Sequence, residues 1–273
     1  MPTPLKHEEL RRLADTEPWT WDESTGPALL ATLRDSAASD EDRVLAAELA
    51  GDPVVLHDAL ADELLSTVKN ASANEQLRSR SAIALGPALE LASIEFDNSS
   101  ELSDPESVPI SEKVYAKIKS GLRSVYHDAS TPKLVRRRAL EAALRAADDW
   151  HQDAIRAAYR SGDRDWRLTA VFGMRFVAGF DDQIIESLNN DDPEIHLEAV
   201  RAAGSHALAA AWKHVVDLVS SKETPKHLLL AAIETVPMIR PENARAVLAD
   251  WRNSDDPEIS ETVEEALTIA ELP

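Results

Sequence analysis

The pentapeptide Asp-Asp-Pro-Glu-Ile occurs twice in this chain, at 191–195 and again at 255–259, with Pro225 midway between the copies. The first apolar residues after such starts are Val135, Trp166, Ile195, Leu228 and Ile259. They are separated by 31, 29, 33 and 31 residues, and each is followed by an alanine-rich stretch. A period of that size restricts the fold to stacked units, each too small to bury its own apolar face and stable only against its neighbours. Proline costs nothing in a first helical turn, where its missing N–H would have no partner, and the aspartate before it can cap the exposed amides. Asp192-Pro193 and Asp256-Pro257 therefore read as helix starts.

Composition points to helices rather than strands. Of the 273 residues 44% are hydrophobic but only 5% aromatic, and eight glycines are too few for a β protein with many tight turns. Cysteine is absent, which removes disulfides, thiolate nucleophiles and cysteine zinc sites. The first residues lack the apolar core of a signal peptide, and no run of about 18 apolar residues could span a bilayer, so the expectation is a cytoplasmic protein with no membrane partner. Forty-nine acidic residues against 29 basic ones give a formal charge of −20, which repels a phosphate backbone and argues against a nucleic-acid partner. The basic residues are 20 Arg and nine Lys, so the acidic surface fits either ordinary solubility or a salt-adapted proteome.

From residue 132 onward the pattern predicts helical hairpins. Their second helices fall at about 132–147, 163–178, 193–208, 225–239 and 257–271, and their first helices at about 150–160, 182–189, 210–220 and 241–253. In the N-terminal third, 42–51 and 76–86 align with a shift of 35 residues, pairing Arg43 with Arg78 and Ala47 with Ala82. Both end on a glycine, Gly51 and Gly86, read as helix stops. First helices are expected at 26–36 and 54–70, with a leading helix at 5–14. The Ser-, Asp- and Pro-rich stretch 94–109 reads as an acidic loop, dividing the chain into blocks 1–93 and 110–273 of one array.

The starts Asp-Arg-Asp-Trp-Arg-Leu-Thr-Ala-Val at 163–171 and Asp-Pro-Glu-Ile-His-Leu-Glu-Ala-Val at 192–200 resemble HEAT-type repeats of the phycobilisome-lyase-like class. The resemblance covers about 26–271. It implies an all-α, right-handed α-solenoid of about seven HEAT-like hairpins whose second helices line the concave side. It further implies that Arg136 and Arg167, at one equivalent position with His196, pair with the aspartate of their own or the adjacent start. Fold resemblance alone transfers no function. A likeness to deoxyhypusine hydroxylases would require several His-Glu pairs at repeat spacing, and only His7-Glu8 occurs. HEAT-like DNA glycosylases need a cationic face, and nothing here marks a bilin site.

No chemical motif stands out from the residues themselves. His196 and His206 share a predicted helix but lie three turns apart, too far to chelate one ion, and no His-x-x-x-His arrangement, phosphate loop or Gly-x-Ser-x-Gly elbow occurs. Counting at 100° per residue from the anchors, Ala139, Ala170, Ala199 and Ala203 face the core. The opposite stripe holds Arg137, Arg138 and Glu141, then Leu168, Thr169 and Phe172, then Leu197, Glu198 and Arg201, then Leu230 and Glu234. If that stripe looks into the concave groove, apolar side chains sit where water is expected, the composition of a partner surface. The alternative is that superhelical twist buries Leu168 and Leu197. The sequence thus predicts a monomeric, non-catalytic scaffold without cofactor or metal, binding a protein partner through Arg137, Arg138, Leu168, Phe172, Leu197, Arg201 and Leu230. The competing reading is a lyase-like or modification factor holding a prosthetic group or peptide in the groove.

Overall fold

The computed structural model describes residues 2–97 and 108–272. The chain is all-helical, about 70% helix, with no strand among the described residues. It divides into two compact units, Met1–Asp148 and Asp149–Pro273.

The first unit contains α1 (His7–Ala14), α2 (Thr25–Arg34), α3 (Asp40–Leu49), α4 (Asp58–Lys69), α5 (Glu75–Ala84), α6 (Gly86–Asp97), α7 (Glu112–His127) and α8 (Lys133–Ala143). Hairpin partners α2 and α3, α4 and α5, and α7 and α8 pack on each other. The first helices form one layer through α2, α4 and α7, and the second helices form another through α3, α5 and α8. Leu29, Leu60, Leu64, Leu77, Ile118 and Leu122 are fully buried between the layers. Ser39, Asn74 and Ser111 cap α3, α5 and α7 by accepting backbone N–H groups.

The second unit contains α9 (His151–Arg160), α10 (Arg164–Gly173), α11 (Asp181–Ser187), α12 (Pro193–Ser205), α13 (Trp212–Ser220), α14 (Lys226–Ile239), α15 (Pro241–Val247) and α16 (Pro257–Ala270). Again each hairpin closes on itself, and the second helices α10, α12, α14 and α16 pack in succession. The anchors Val135, Ile195, Leu228 and Ile259 are buried, as are Ala139, Ala170, Ala199 and Ala203, whereas Trp166 is only half-buried. Asp163, Asp192 and Asp256 cap α10, α12 and α16, each accepting from two backbone N–H groups.

Hairpin closure in the first unit relies on one repeated bond. The Nε of Arg43, Arg78 and Arg136 donates to the carbonyls of Leu33, Val68 and Tyr126, each ten residues earlier, at 3.2, 3.0 and 2.8 Å. Those carbonyls lie in the last turn of the preceding helix and lack an intrahelical donor, so the arginine satisfies groups that would otherwise be orphaned. The alignment of Arg43 with Arg78 therefore marks a hairpin clasp.

Several expectations are corrected. Arg167 bonds Tyr159 and Glu186 rather than a repeat-start aspartate, and the cation that reaches the next start lies three residues earlier in the pattern. Arg164 donates to both carboxylate oxygens of Asp192 at 2.6 and 3.0 Å and also to Glu194, and Lys226 bonds Asp256 and Glu258 at 2.7 Å. Hydrogen bonds from Arg164 and Lys226 hold the carboxyls of Asp192 and Asp256 below the usual carboxylate range. Gly51 and Gly86 are not left-handed helix stops either, since positive φ occurs at Gly162, Gly179 and Ala207. A Cβ on Gly51 would lie 2.9 Å from the Cα and carbonyl oxygen of Ala84 on α5, so the glycine permits close helix approach. Gly86 instead opens α6, a helix absent from the sequence reading, which runs through the first four residues of the expected acidic loop; 98–107 lie outside the described residues. Helices α8, α10 and α12 end three to five residues earlier than expected. At α12 the stop is a Schellman pattern, Leu208 N–H to Ala203 and Ala207 N–H to Gly204, with Ala207 in the left-handed region at φ 49°.

Candidate partner-binding face

The predicted stripe falls in both units. In the first, Arg137 is not on an open face: it is 6% exposed, and Glu141 is 4% exposed. The Arg137 Nη2 lies 3.6 Å from Glu141 Oε1, while the half-exposed Arg138 donates to Glu141 Oε2 at 2.5 Å. Two cations thus converge on one buried carboxylate, and neither Arg137 nor Glu141 is presented to solvent.

In the second unit the stripe is open in part. Leu168, Phe172, Leu197, Arg201 and Leu230 are half-buried on the successive helices α10, α12 and α14, while Thr169 is fully buried. These leucines are therefore covered only in part. The Phe172 ring packs at 5.4 Å from Phe176, tilted by 54°, and the Arg175 guanidinium lies 5.9 and 5.5 Å from the two ring centres. Arg175 also reaches Glu198 at 3.5 Å, and Glu198 accepts from Arg201 at 2.9 Å. Cation–π contact and the shared carboxylate fix the orientation of both arginines across α10 and α12. Arg175 and Phe176 lie beyond the predicted stripe because α10 stops at Gly173 and the following turn swings them over Phe172. The one sequence signal for them is the spacing Phe172, Arg175, Phe176, which matches neighbours on a helix surface.

A second side-chain cluster also escaped the sequence reading. His196 and His214 face each other from α12 and α13, with their Nε2 atoms 2.8 Å apart and their rings 5.0 Å apart and nearly perpendicular. At that separation one ring donates and the other accepts, so the pair holds together only while at least one ring is neutral. Burial, more than any neighbouring charge, pushes both rings below the ordinary histidine range. His206, by contrast, bonds the Met174 carbonyl at 2.6 Å. Among the described residues no group of three or more histidine, aspartate or glutamate side chains is placed to hold a metal ion. No helix there is long and apolar enough to cross a membrane.

No family model matches the chain, and no curated protein matches its sequence. Solved structures similar to this chain include two helical proteins. Human deoxyhypusine hydroxylase shares 14% identity at a TM-score of 0.42, covering 97% of this chain and 89% of the hydroxylase. The E. coli protein YibA shares 16% identity at a TM-score of 0.45, covering 97% of this chain and 93% of YibA. The expectation that this chain is not an enzyme is corrected here, because an enzyme stands among the structures it resembles. At these scores the likeness assigns this chain neither a reaction nor a ligand.

Proposed function

We propose that this protein is an interaction scaffold that binds a protein partner across the face formed by α10, α12 and α14. The reading rests on the cluster of Phe172, Phe176, Arg175, Glu198 and Arg201. Aromatic and arginine side chains are the residue types that carry most binding energy at protein interfaces, and here their rotamers are fixed before any partner arrives. Leu168, Leu197 and Leu230 extend the same face with half-buried apolar surface. Arg138 on α8 belongs to the predicted stripe but is engaged by Glu141. The capped starts of α10 and α12 also support placing these hairpins in the phycobilisome-lyase-like class of HEAT repeats, a statement about fold and not about bilin chemistry.

The test is affinity isolation from cells of the source organism, comparing the unmodified chain with Phe172→Ala/Arg201→Ala after circular dichroism has shown both folded. A partner retained by the first and weakened about thirtyfold by the double change, about 2 kcal/mol, supports the proposal. An identical set of retained proteins refutes it. Loss of helicity in the variant assigns those side chains to the core instead.

A further inference from the structure

A cavity in the first unit lies where α1, α3, α5 and the start of α6 meet. Its volume is about 530 Å³, within the range of small-ligand sites. Apolar groups from Leu49, Trp21, Ile83 and Pro87 line it. Trp21 is held by its indole N–H, which donates to Thr16 at 3.1 Å, so the ring is a fixed wall.

The charged groups around this apolar lining are unbalanced. Asp15, Glu17, Glu48 and Asp52 border the cavity against a single cation, Arg80. Arg80 approaches Glu48 at 3.6 Å, with both side chains about half exposed, a contact that water screens to little net energy. Among the described residues, Asp15, Glu17 and Asp52 have no cation within ion-pair distance. An anionic ligand would meet three uncompensated carboxylates, and a purely apolar one would desolvate them without return. A cation with an alkyl body meets neither cost: its stem covers the apolar lining, an indole face is the best aromatic partner for its head, and the carboxylates complement its charge. The formal charge of −20 on the whole chain steers such a group toward the surface.

From this combination we infer that the cavity between α1, α3 and α5 is a second docking site, which takes the lysine or arginine side chains of a basic, extended segment of another protein. The volume accommodates more than one side chain, so the occupant is a peptide stretch carrying basic residues beside apolar ones. This inference does not depend on the α10, α12 and α14 face, and either can fail alone.

The probe is a fluorescein-labelled decapeptide of alternating lysine and leucine, followed by anisotropy at about 0.1 M salt with the full chain. Four comparisons decide. The same peptide with every lysine acetylated should lose binding at least tenfold. Asp15→Asn/Glu17→Gln, both exposed at the cavity rim, should weaken the lysine peptide about tenfold. The charge-matched control Glu261→Gln/Glu264→Gln on α16 should change it less than twofold. Trp21→Leu, with helicity checked by circular dichroism, should weaken binding about fivefold without altering the overall charge. The inference is overturned if the acetylated peptide binds as well, if the α16 control loses as much as the cavity variant, or if no binding is seen up to about 1 mM peptide. In the second case the peptide reads only the net field of the protein.

Discussion

Glu141→Ala should be among the most destabilising single changes in the first unit, because it removes the buried carboxylate on which Arg137 and Arg138 converge. Arg137 and Glu141 are 6% and 4% exposed and lie 3.6 Å apart. Two unit charges at that distance interact by about 4–5 kcal/mol at an effective dielectric of about 20. Removing one partner of a buried pair typically costs about 3–5 kcal/mol. Arg138, with 42% of its side chain exposed, turns outward when the carboxylate goes, so its 2.5 Å bond to Glu141 adds little to the loss. Urea unfolding at neutral pH, followed by circular dichroism, should show a drop of about 3–5 kcal/mol for Glu141→Ala. The double variant Arg137→Met/Glu141→Leu should recover to within about 1–2 kcal/mol of the parent, because apolar side chains of similar volume replace buried ion pairs at small net cost. A single-variant loss below about 1 kcal/mol would refute the reasoning, because the pair would then contribute no more than an exposed one.

Further consequences are measurable by the same means. Gly51→Ala forces a methyl to 2.9 Å from the Ala84 backbone and should destabilise by about 1–2 kcal/mol, whereas Gly86→Ala meets side-chain rather than backbone atoms at 2.9 Å, those of Arg145, and should cost less; equal effects would remove the close-approach explanation. Ala207→Gly relieves an alanine at φ 49° and should raise stability by about 0.5–1 kcal/mol, a loss instead showing that the alanine methyl packs. For His196 and His214 the folded rings sit below the unfolded value, so their contribution is complete above about pH 6.5 and is lost as pH falls toward the folded value. The melting temperature should therefore fall on acidification from about pH 7 to 5 more steeply in the parent than in His196→Leu/His214→Leu, and parallel curves would refute the pairing. Finally, at a formal charge of −20 the melting temperature should rise with potassium chloride and level off below about 0.5 M if screening alone acts; a rise continuing toward about 3 M would mark a salt-adapted surface.

What the sequence made legible and what it hid divide along a physical line. Whatever depends on a helix's own backbone was readable, and whatever depends on what covers the helix was not. Asp192 and Asp256 accept the N–H groups their position before proline predicted, and Val135, Ile195, Leu228 and Ile259 are buried at the predicted period. Both follow from local rules, orphan amides at a helix start and a 3.6-residue period. Arg137 and Leu197 occupy equivalent angles on α8 and α12, yet one is buried and the other half-exposed. The wheel treats them alike because neighbours lie outside it. Glycine was misread for the same reason: Gly51 follows a helix, which suggests a left-handed stop, but its role is set by Ala84, more than thirty residues away. The histidines show the limit most directly. His196 was compared with His206 on its own helix, whereas its partner His214 lies on α13, a pairing that exists only once the hairpin has formed. A repeat protein therefore discloses its scaffold through periodicity, while its candidate sites arise where the period is broken. The Phe172, Arg175 and Phe176 cluster lies where α10 stops short, and the cavity beside Trp21 lies at the first hairpin, before the regular spacing begins.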